Sequence, residues 1–225
     1  MANICMVLGK SSTGKSSSIR NLKPEETVII NILGKKLPFK GGSKSYNKEN
    51  KNYFQLDTHS DIIALLQNID ASAPHVKNVV IEDMTYLMRK EYFARAKENG
   101  FNKFVEIGQH FQQVVSVCEK MKESTNVFFI MHSEDIISNG NVIGTKVSTI
   151  GKLIDESYNP VEVVPIVLHS KVRYKEDGDI EYGFYTKRVM VGTEEILAKS
   201  PADMFPTDFI PNDLQAVVDA MNEYY

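Results

Sequence analysis

Cysteine and arginine are scarce in this chain, and long apolar runs are missing. Cys5 and Cys118 are the only thiols among 225 residues. The first falls in a predicted strand and the second on the apolar face of a predicted helix. Both read as small buried hydrophobes rather than a disulfide, in keeping with a reducing cytoplasm. No stretch is apolar for long enough to cross a bilayer, so no membrane partner is expected. The first residues carry no signal-peptide pattern, because a predicted strand starts almost at once. Only five residues are arginine, which counts against a small-molecule kinase, whose lid brings several arginines to the phosphates. The net charge of −3 argues against wholesale coating of nucleic acid and leaves room for a local basic patch. There are no internal repeats and no low-complexity tract.

What is present is ordinary for a globular chain: 42% hydrophobic and 24% charged residues. The length suits one large domain or a domain with an appendage. The expected division is a core over residues 1–199 and, over 200–225, an extended tail with a C-terminal helix.

Residues 3–20 read NICMVLGKSSTGKSSSIR and contain G-x-x-x-x-G-K-S, from Gly9 through Gly14 and Lys15 to Ser16. Residues 4–8 predict a buried strand and 13–21 the helix that follows, which is the order a phosphate-binding loop requires. Backbone N–H groups of Gly9, Lys10, Ser11, Ser12, Thr13, Gly14 and Lys15 can wrap phosphate oxygens as an anion nest. Ser16 and Ser17 continue into the helix start, whose free N–H groups add partial positive charge. Lys15 would reach the terminal phosphates and the Ser16 hydroxyl would ligate magnesium. In the unliganded chain Lys15 is expected to be a solvent-facing charge, so that its removal abolishes ATP binding with the fold intact. The plainer reading is a Ser/Gly loop with no ligand.

Residues 27–32 read as a second buried strand. Residues 35–51 hold six lysines and one acid, with Phe39 and Tyr46. They predict a loop or irregular hairpin: either a solvated surface, or a contact in which lysines neutralise phosphates and aromatics stack on bases. Thr58 or Ser60 caps a helix through Ile69. Residues 78–83 form an apolar strand ending in Glu82 and Asp83. Helices follow over about 85–97 and 103–122, the second carrying His110 as a surface or partly packed histidine. Residues 126–131 form a fourth strand with His132 at its C-terminal end, and 138–150 a flexible Gly/Asn-rich loop. A long strand over 161–174 pairs with 180–186 across residues 176–178. Asn212 or Asp213 caps a last helix through Met221. Strands alternating with helices, then a β-rich portion, imply an α/β fold with a mostly parallel central sheet flanked by helices and antiparallel strands added late in the chain. Ligands on such sheets bind at the carboxyl ends of strands, where Gly9, Glu82, Asp83 and His132 all fall.

Magnesium on a nucleotide is held by the loop hydroxyl and by an acid at the end of a nearby strand. Glu82 is favoured for the metal, because it directly ends the apolar run, and Asp83 as candidate base. The opposite assignment stays open, as does Asp83 as a plain helix cap. His132 is either a sensor of the terminal phosphate or a satisfied strand-end histidine. Hydrolysis would gain from a cationic finger, supplied by this chain or by a neighbouring subunit, and Lys171, Arg173, Lys187 and Arg188 are candidates that also read as solvated surface charge.

Taken in order, GKSSTGKS, VVIEDMTYLM, FFIMHSED, KVSTIGKLIDE and AKSPADMF with IPNDL resemble the phage-encoded P-loop nucleotide-binding proteins of the RecA-like single-strand-annealing ATPase group, over most of the chain. The resemblance implies a RecA-like P-loop NTPase core that binds ATP and Mg2+. It further implies homo-oligomers or filaments acting on single-stranded DNA in phage recombination or replication, alongside other phage proteins in the host cytoplasm. By position, Lys15 and Ser16 match the nucleotide loop, Glu82 the metal-side acid and His132 the sensor. The loop 138–152, with Lys146 and Lys152, lies where RecA-like proteins touch DNA. Two residues depart from the pattern. Glu82 stands where an Asp is usual, and Asn31 where RecA proteins place a catalytic Glu, which implies binding with slow turnover. A P-loop nucleoside or nucleotide kinase, and a non-hydrolysing nucleotide switch docking a protein through residues 200–225, are the competing expectations.

Overall fold

Strand β1 (Asn3–Gly9) is apolar at every position from Ile4 to Leu8, the pattern of a strand covered on both faces. Ile4, Met6 and Leu8 join one buried cluster while Cys5 and Val7 join another, so the alternation of the pleat feeds two separate cores. The computed structural model describes residues 1–151, 154 and 158–225. In chain order the remaining strands are β2 (Thr27–Asn31), β3 (Tyr53–Phe54), β4 (Asn78–Glu82), β5 (Asn126–Ser138), β6 (Asn141–Val147), β7 (Ile166–Tyr174), β8 (Ile180–Tyr185), β9 (Val189–Val191), β10 (Glu194–Ile196) and β11 (Phe209–Pro211). The main sheet runs in the order β11-β8-β7-β1-β5-β4-β2-β3. From β7 to β3 every neighbouring pair is parallel, and β8 and β11 add on antiparallel at one edge. This is the largely parallel α/β sheet with late antiparallel strands that the pattern implied.

The helices are α1 (Gly42–Ser45), α2 (His59–Ser72), α3 (Thr85–Ala94), α4 (Asn102–Glu119), α5 (Pro160–Val163) and α6 (Leu214–Tyr224). One face of the sheet is covered by α2 through Ile62, Leu66 and Ile69, and by α4 through Ile107, Phe111, Val114 and Cys118. The other face is covered by Ile19 and by α6 through Leu214, Val217 and Met221. Thr58 caps α2, its hydroxyl accepting the Asp61 N–H, and Asp213 caps α6 by accepting from Gln215. Both are favoured cap residues because a short side-chain oxygen satisfies an orphan N–H. Cys5 and Cys118 are free and buried. Among the described residues no helix is long and apolar enough to cross a membrane.

Four local expectations are corrected. The helix expected over 13–21 is a single 3-10 segment, Ser16–Asn21. Three consecutive serines weaken the α-helical ladder, and the Ser18 hydroxyl donates to the Lys15 carbonyl. The flexible loop expected over 138–150 is mostly strand: β5 runs on past His132 and pairs with β6 across Asn139 and Gly140. Both turn residues have positive φ (50° and 80°), the mirror-image turn that suits a twisted hairpin. His132 therefore lies inside a strand rather than at its end. The long strand expected over 161–174 begins only at Ile166, because Asn159 and Pro160 start a helical turn. Finally, Tyr46 is buried and its hydroxyl donates to the Leu22 carbonyl at 2.9 Å, so it is core and offers no face to a base.

One glycine carries a stability prediction. A Cβ on Gly183 would sit 2.4 Å from the Phe209 ring and 2.5 Å from the Ile210 carbonyl oxygen. The carbonyl belongs to the β8–β11 ladder and cannot yield. Gly183→Ala is expected to cost about 2–3 kcal/mol through overpacking, read as a lower urea midpoint. Gly144→Ala, with nothing nearer than 3.5 Å, should leave the midpoint within experimental scatter.

Candidate functional site

The parallel register brings the carboxyl ends of several strands together. Gly9 stands opposite His132, and Asn31 opposite Glu82. The loop 9–16 leaves β1 at this edge. Gly9 has no room for a side chain: a Cβ would lie 2.8 Å from the Ser170 carbonyl oxygen and 2.9 Å from Thr13 Oγ1. Ser170, on β7, donates from its hydroxyl to the Thr13 carbonyl at 2.6 Å, and the Thr13 hydroxyl donates to the Lys10 carbonyl at 2.9 Å. Ser12 and Gly14 both take positive φ. Among the described residues the backbone N–H groups of 11–15 have no protein acceptor. The short 3-10 segment contributes little aligned dipole, so an anion placed here would be held by these amides and Lys15.

Lys15 is not the solvent-facing charge expected of it. It is buried, and its Nζ donates to the Gly9 carbonyl at 2.8 Å and the Lys10 carbonyl at 2.6 Å. The loop curls around its own ammonium group. Burial pushes the Lys15 pKa down to about 8, against the opposing charges of Glu82 and Asp83. Lys10 points away, to Asp135 on the β5 extension at 2.7 Å.

Ser16 and Glu82 are in direct contact, the Ser16 hydroxyl donating to Glu82 Oε1 at 2.5 Å. The other oxygen, Oε2, is buried without a partner among the described residues. Burial raises the Glu82 pKa to about 7, with the Ser16 hydrogen bond working the other way. A hydroxyl beside a carboxylate with one oxygen unclaimed is the hard-oxygen donor set that suits a magnesium ion.

Asp83 adopts φ of 58° and does not cap α3, whose cap position is Met84 with no side-chain bond. Its Oδ1 lies 3.2 Å from His132 Nε2 and its Oδ2 3.2 Å from Lys35 Nζ. Burial pushes the Asp83 carboxyl up, but the His132 hydrogen bond and the Lys35 charge outweigh it and hold the carboxyl below its usual range. His132 reaches the site through Asp83 and packs edge-on against Tyr86. Asn31 shapes the turn that delivers Lys35: its Oδ1 accepts from the Gly34 N–H at 2.7 Å and its Nδ2 donates to the Lys35 carbonyl at 3.1 Å.

These groups share one open crevice of about 730 Å³, lined by Ser11, Ser12, Gly14, Lys15, Ser16, Ser17, Glu82, Asp83 and His132. The crevice also takes in Lys35, Lys36 and residues 37–39, part of the lysine-rich stretch for which a phosphate and base contact is one expectation, and Arg20, Tyr182 and Asn212, which were not foreseen from sequence. A second cleft, about 680 Å³, lies against Val28, Phe54, Leu65 and Ile69, at the opposite end of β2, and is mainly apolar.

The candidate cationic fingers are engaged elsewhere. Lys171 pairs with Glu194 at 2.6 Å, Lys187 with Asp208 and Arg188 with Glu195, and Arg173 lies over the Phe209 ring. None lines the crevice. Lys146 pairs with Glu134 on the β5–β6 hairpin at 3.0 Å and lines a groove with Tyr86, Arg89 and Tyr92. Lys152 lies outside the described residues. His110 is partly packed, as expected, but with a specific partner: its ring stacks on His59 at 3.7 Å and its Nδ1 lies 2.8 Å from Glu91. Glu91 is in turn paired with Arg95.

A scan against protein-family models and a search of curated proteins found no match to this chain, so the crevice itself is the basis for a functional reading.

Proposed function

We propose that the chain binds ATP with Mg2+ in this crevice and acts, as a RecA-like oligomer or filament, on single-stranded DNA in phage recombination or replication. One observation carries the nucleotide part: a buried lysine held by two carbonyls of its own loop beside a Ser16–Glu82 pair with an unclaimed carboxylate oxygen. Phosphates would draw Lys15 off the two carbonyls that now hold it, and Ser16 and Glu82 would hold the magnesium. In hydrolysis, water attacks the γ-phosphorus, the bond to the β-phosphate oxygen breaks, and ADP and phosphate leave. Positioning and charge stabilisation supply most of that acceleration.

Turnover is expected to be slow. Asp83 is held between Lys35 and the His132 ring with its carboxyl kept below the usual range, so it is a weak base, and Asn31 is committed to the turn. That same observation favours a second reading, a nucleotide switch that binds ATP without cleaving it. A kinase reading is weaker, since Arg20 is the single arginine lining the crevice among the described residues.

For DNA, the groove of Tyr86, Arg89, Tyr92 and Lys146 combines cations with aromatic faces, the mixture that binds single strands. For self-association, Ile136, Ile137 and Ile143 stand exposed on the β5–β6 hairpin, where another copy could bury them together. The test is calorimetric titration with MgATP, followed by turnover with and without single-stranded DNA and by measurement of particle size. ATP binding with DNA-stimulated turnover supports the whole reading. Binding without turnover under any condition favours the switch, and no binding rejects both.

A further inference from the structure

The wall of the crevice built from the end of the chain is chemically specific. Asn212 sits just before α6, is buried, and lines the crevice. Its Oδ1 accepts from Arg20 Nη1 at 3.3 Å, which fixes the orientation of the amide. Its Nδ2 is buried with no partner among the described residues. A buried amide N–H2 without an acceptor is costly, and native structures keep such groups where a ligand or water completes them. This donor lies close over the 9–16 loop: a Cβ on Gly14 would be 2.9 Å from Asn212 Nδ2 and 3.1 Å from Tyr182 Cδ1. Tyr182 is half-exposed at the same wall, and its carbonyl accepts the Asn212 backbone N–H at 3.2 Å. The Arg20 guanidinium also donates to the Ser17 carbonyl at 3.0 Å, and Asn21 donates to Asp213 at 2.7 Å. The segment after the loop and the start of α6 are thus stitched together by side chains.

The charges divide the crevice into two ends. Lys15, Glu82, Asp83, Lys35 and His132 gather where a metal and terminal phosphates would lie. At the other wall the Arg20 guanidinium is taken up by Asn212 Oδ1 and the Ser17 carbonyl, and Tyr182 and Asn212 offer an aromatic face and a neutral donor, which suit an uncharged planar ring carrying an acceptor. We propose that Tyr182 and Asn212 form the nucleoside subsite, with Tyr182 stacking on the base and the Asn212 amide donating to an acceptor atom of the base. The proposal rests on the nucleotide reading above and adds to it the residues that distinguish a nucleotide from a bare polyphosphate.

The probes are MgATP and magnesium tripolyphosphate, titrated separately into the full chain. Asn212→Ala is expected to weaken MgATP about tenfold, in line with loss of one buried hydrogen bond, and to leave tripolyphosphate affinity unchanged. Tyr182→Ala should likewise weaken only MgATP, about five- to tenfold for loss of one stacking contact, while Tyr182→Phe retains the affinity. Tyr182 is half-exposed, so its variants keep the test valid if Asn212→Ala fails to fold. Equal losses for both probes would make the pair a structural latch or a phosphate contact and overturn the subsite. No loss for either probe would overturn it as well. If the unsubstituted chain bound neither probe, the nucleotide reading itself would fall, an outcome separate from these two.

Discussion

Lys15→Ala is expected to lower MgATP affinity by at least a hundredfold, measured by calorimetric titration against the unsubstituted chain. Lys15 is the cation at the centre of the 9–16 loop, whereas Lys10 is spent on Asp135. Each hydrogen bond from a charged donor to phosphate contributes about 1.5–3 kcal/mol, and an ammonium group can make two or three. A hundredfold loss corresponds to about 2.7 kcal/mol, so one or two such bonds account for it. The variant should also unfold somewhat more easily, because the carbonyls of Gly9 and Lys10 lose their donor. Affinity must therefore be read at a temperature where circular dichroism shows the variant folded. A pH corollary follows from the same burial. With its pKa lowered to about 8, Lys15 sheds its proton above that pH, and affinity for the polyanion should fall as pH rises further. A Lys15→Ala chain with unchanged affinity would remove the nucleotide from this crevice.

The second large effect concerns acid stability. His169 on β7 is buried, its Nδ1 facing the Leu197 carbonyl at 3.1 Å and its Nε2 without a partner among the described residues. Desolvation pushes its pKa down to about 4. Lys171 and Glu194 also act on the ring but are paired with each other. The unfolded chain titrates this group near pH 6.5, so between pH 6.5 and 4 the unfolded state binds the proton and the folded state does not. Stability is therefore fully present above about pH 6.5 and lost as pH falls towards 4, by about 3 kcal/mol from this group alone at 1.36 kcal/mol per pKa unit. Urea midpoints measured from pH 7 to pH 4 should drop, and His169→Leu should flatten most of that slope. An equal slope in both chains would place the acid sensitivity in the carboxylates.

The parts of the molecule legible in sequence are those set by neighbours along the chain. The apolar run 4–8, the caps Thr58 and Asp213, and the strand ending at Glu82 all announce themselves within a few residues. The β5–β6 hairpin has a local signal too, the Asn139-Gly140 turn pair, but its flanks carry adjacent apolar pairs rather than a strict alternation, and the stretch 138–150 reads as polar loop. Other features depend on contacts that no local pattern encodes. Ser170 braces the loop from 157 residues away, and Asn212 meets Arg20 across 192. Lys35 arrives at Asp83 only because Asn31 turns the chain through Gly34. The burial of Lys15 was missed for a different reason: its partners are the carbonyls of its own loop, and motif spacing carries no information about where a lysine rests without ligand.

The two thiols have a practical consequence. Cys5 lies in the layer beneath α6 and Cys118 on the inner face of α4, in the two separate buried clusters, and burial raises both above the ordinary thiol range. Neither can react with an alkylating reagent until its own layer opens. Each sulfur is thus a separate clock, and mass spectrometry of labelled peptides can time the two halves of the molecule coming apart without any engineered probe.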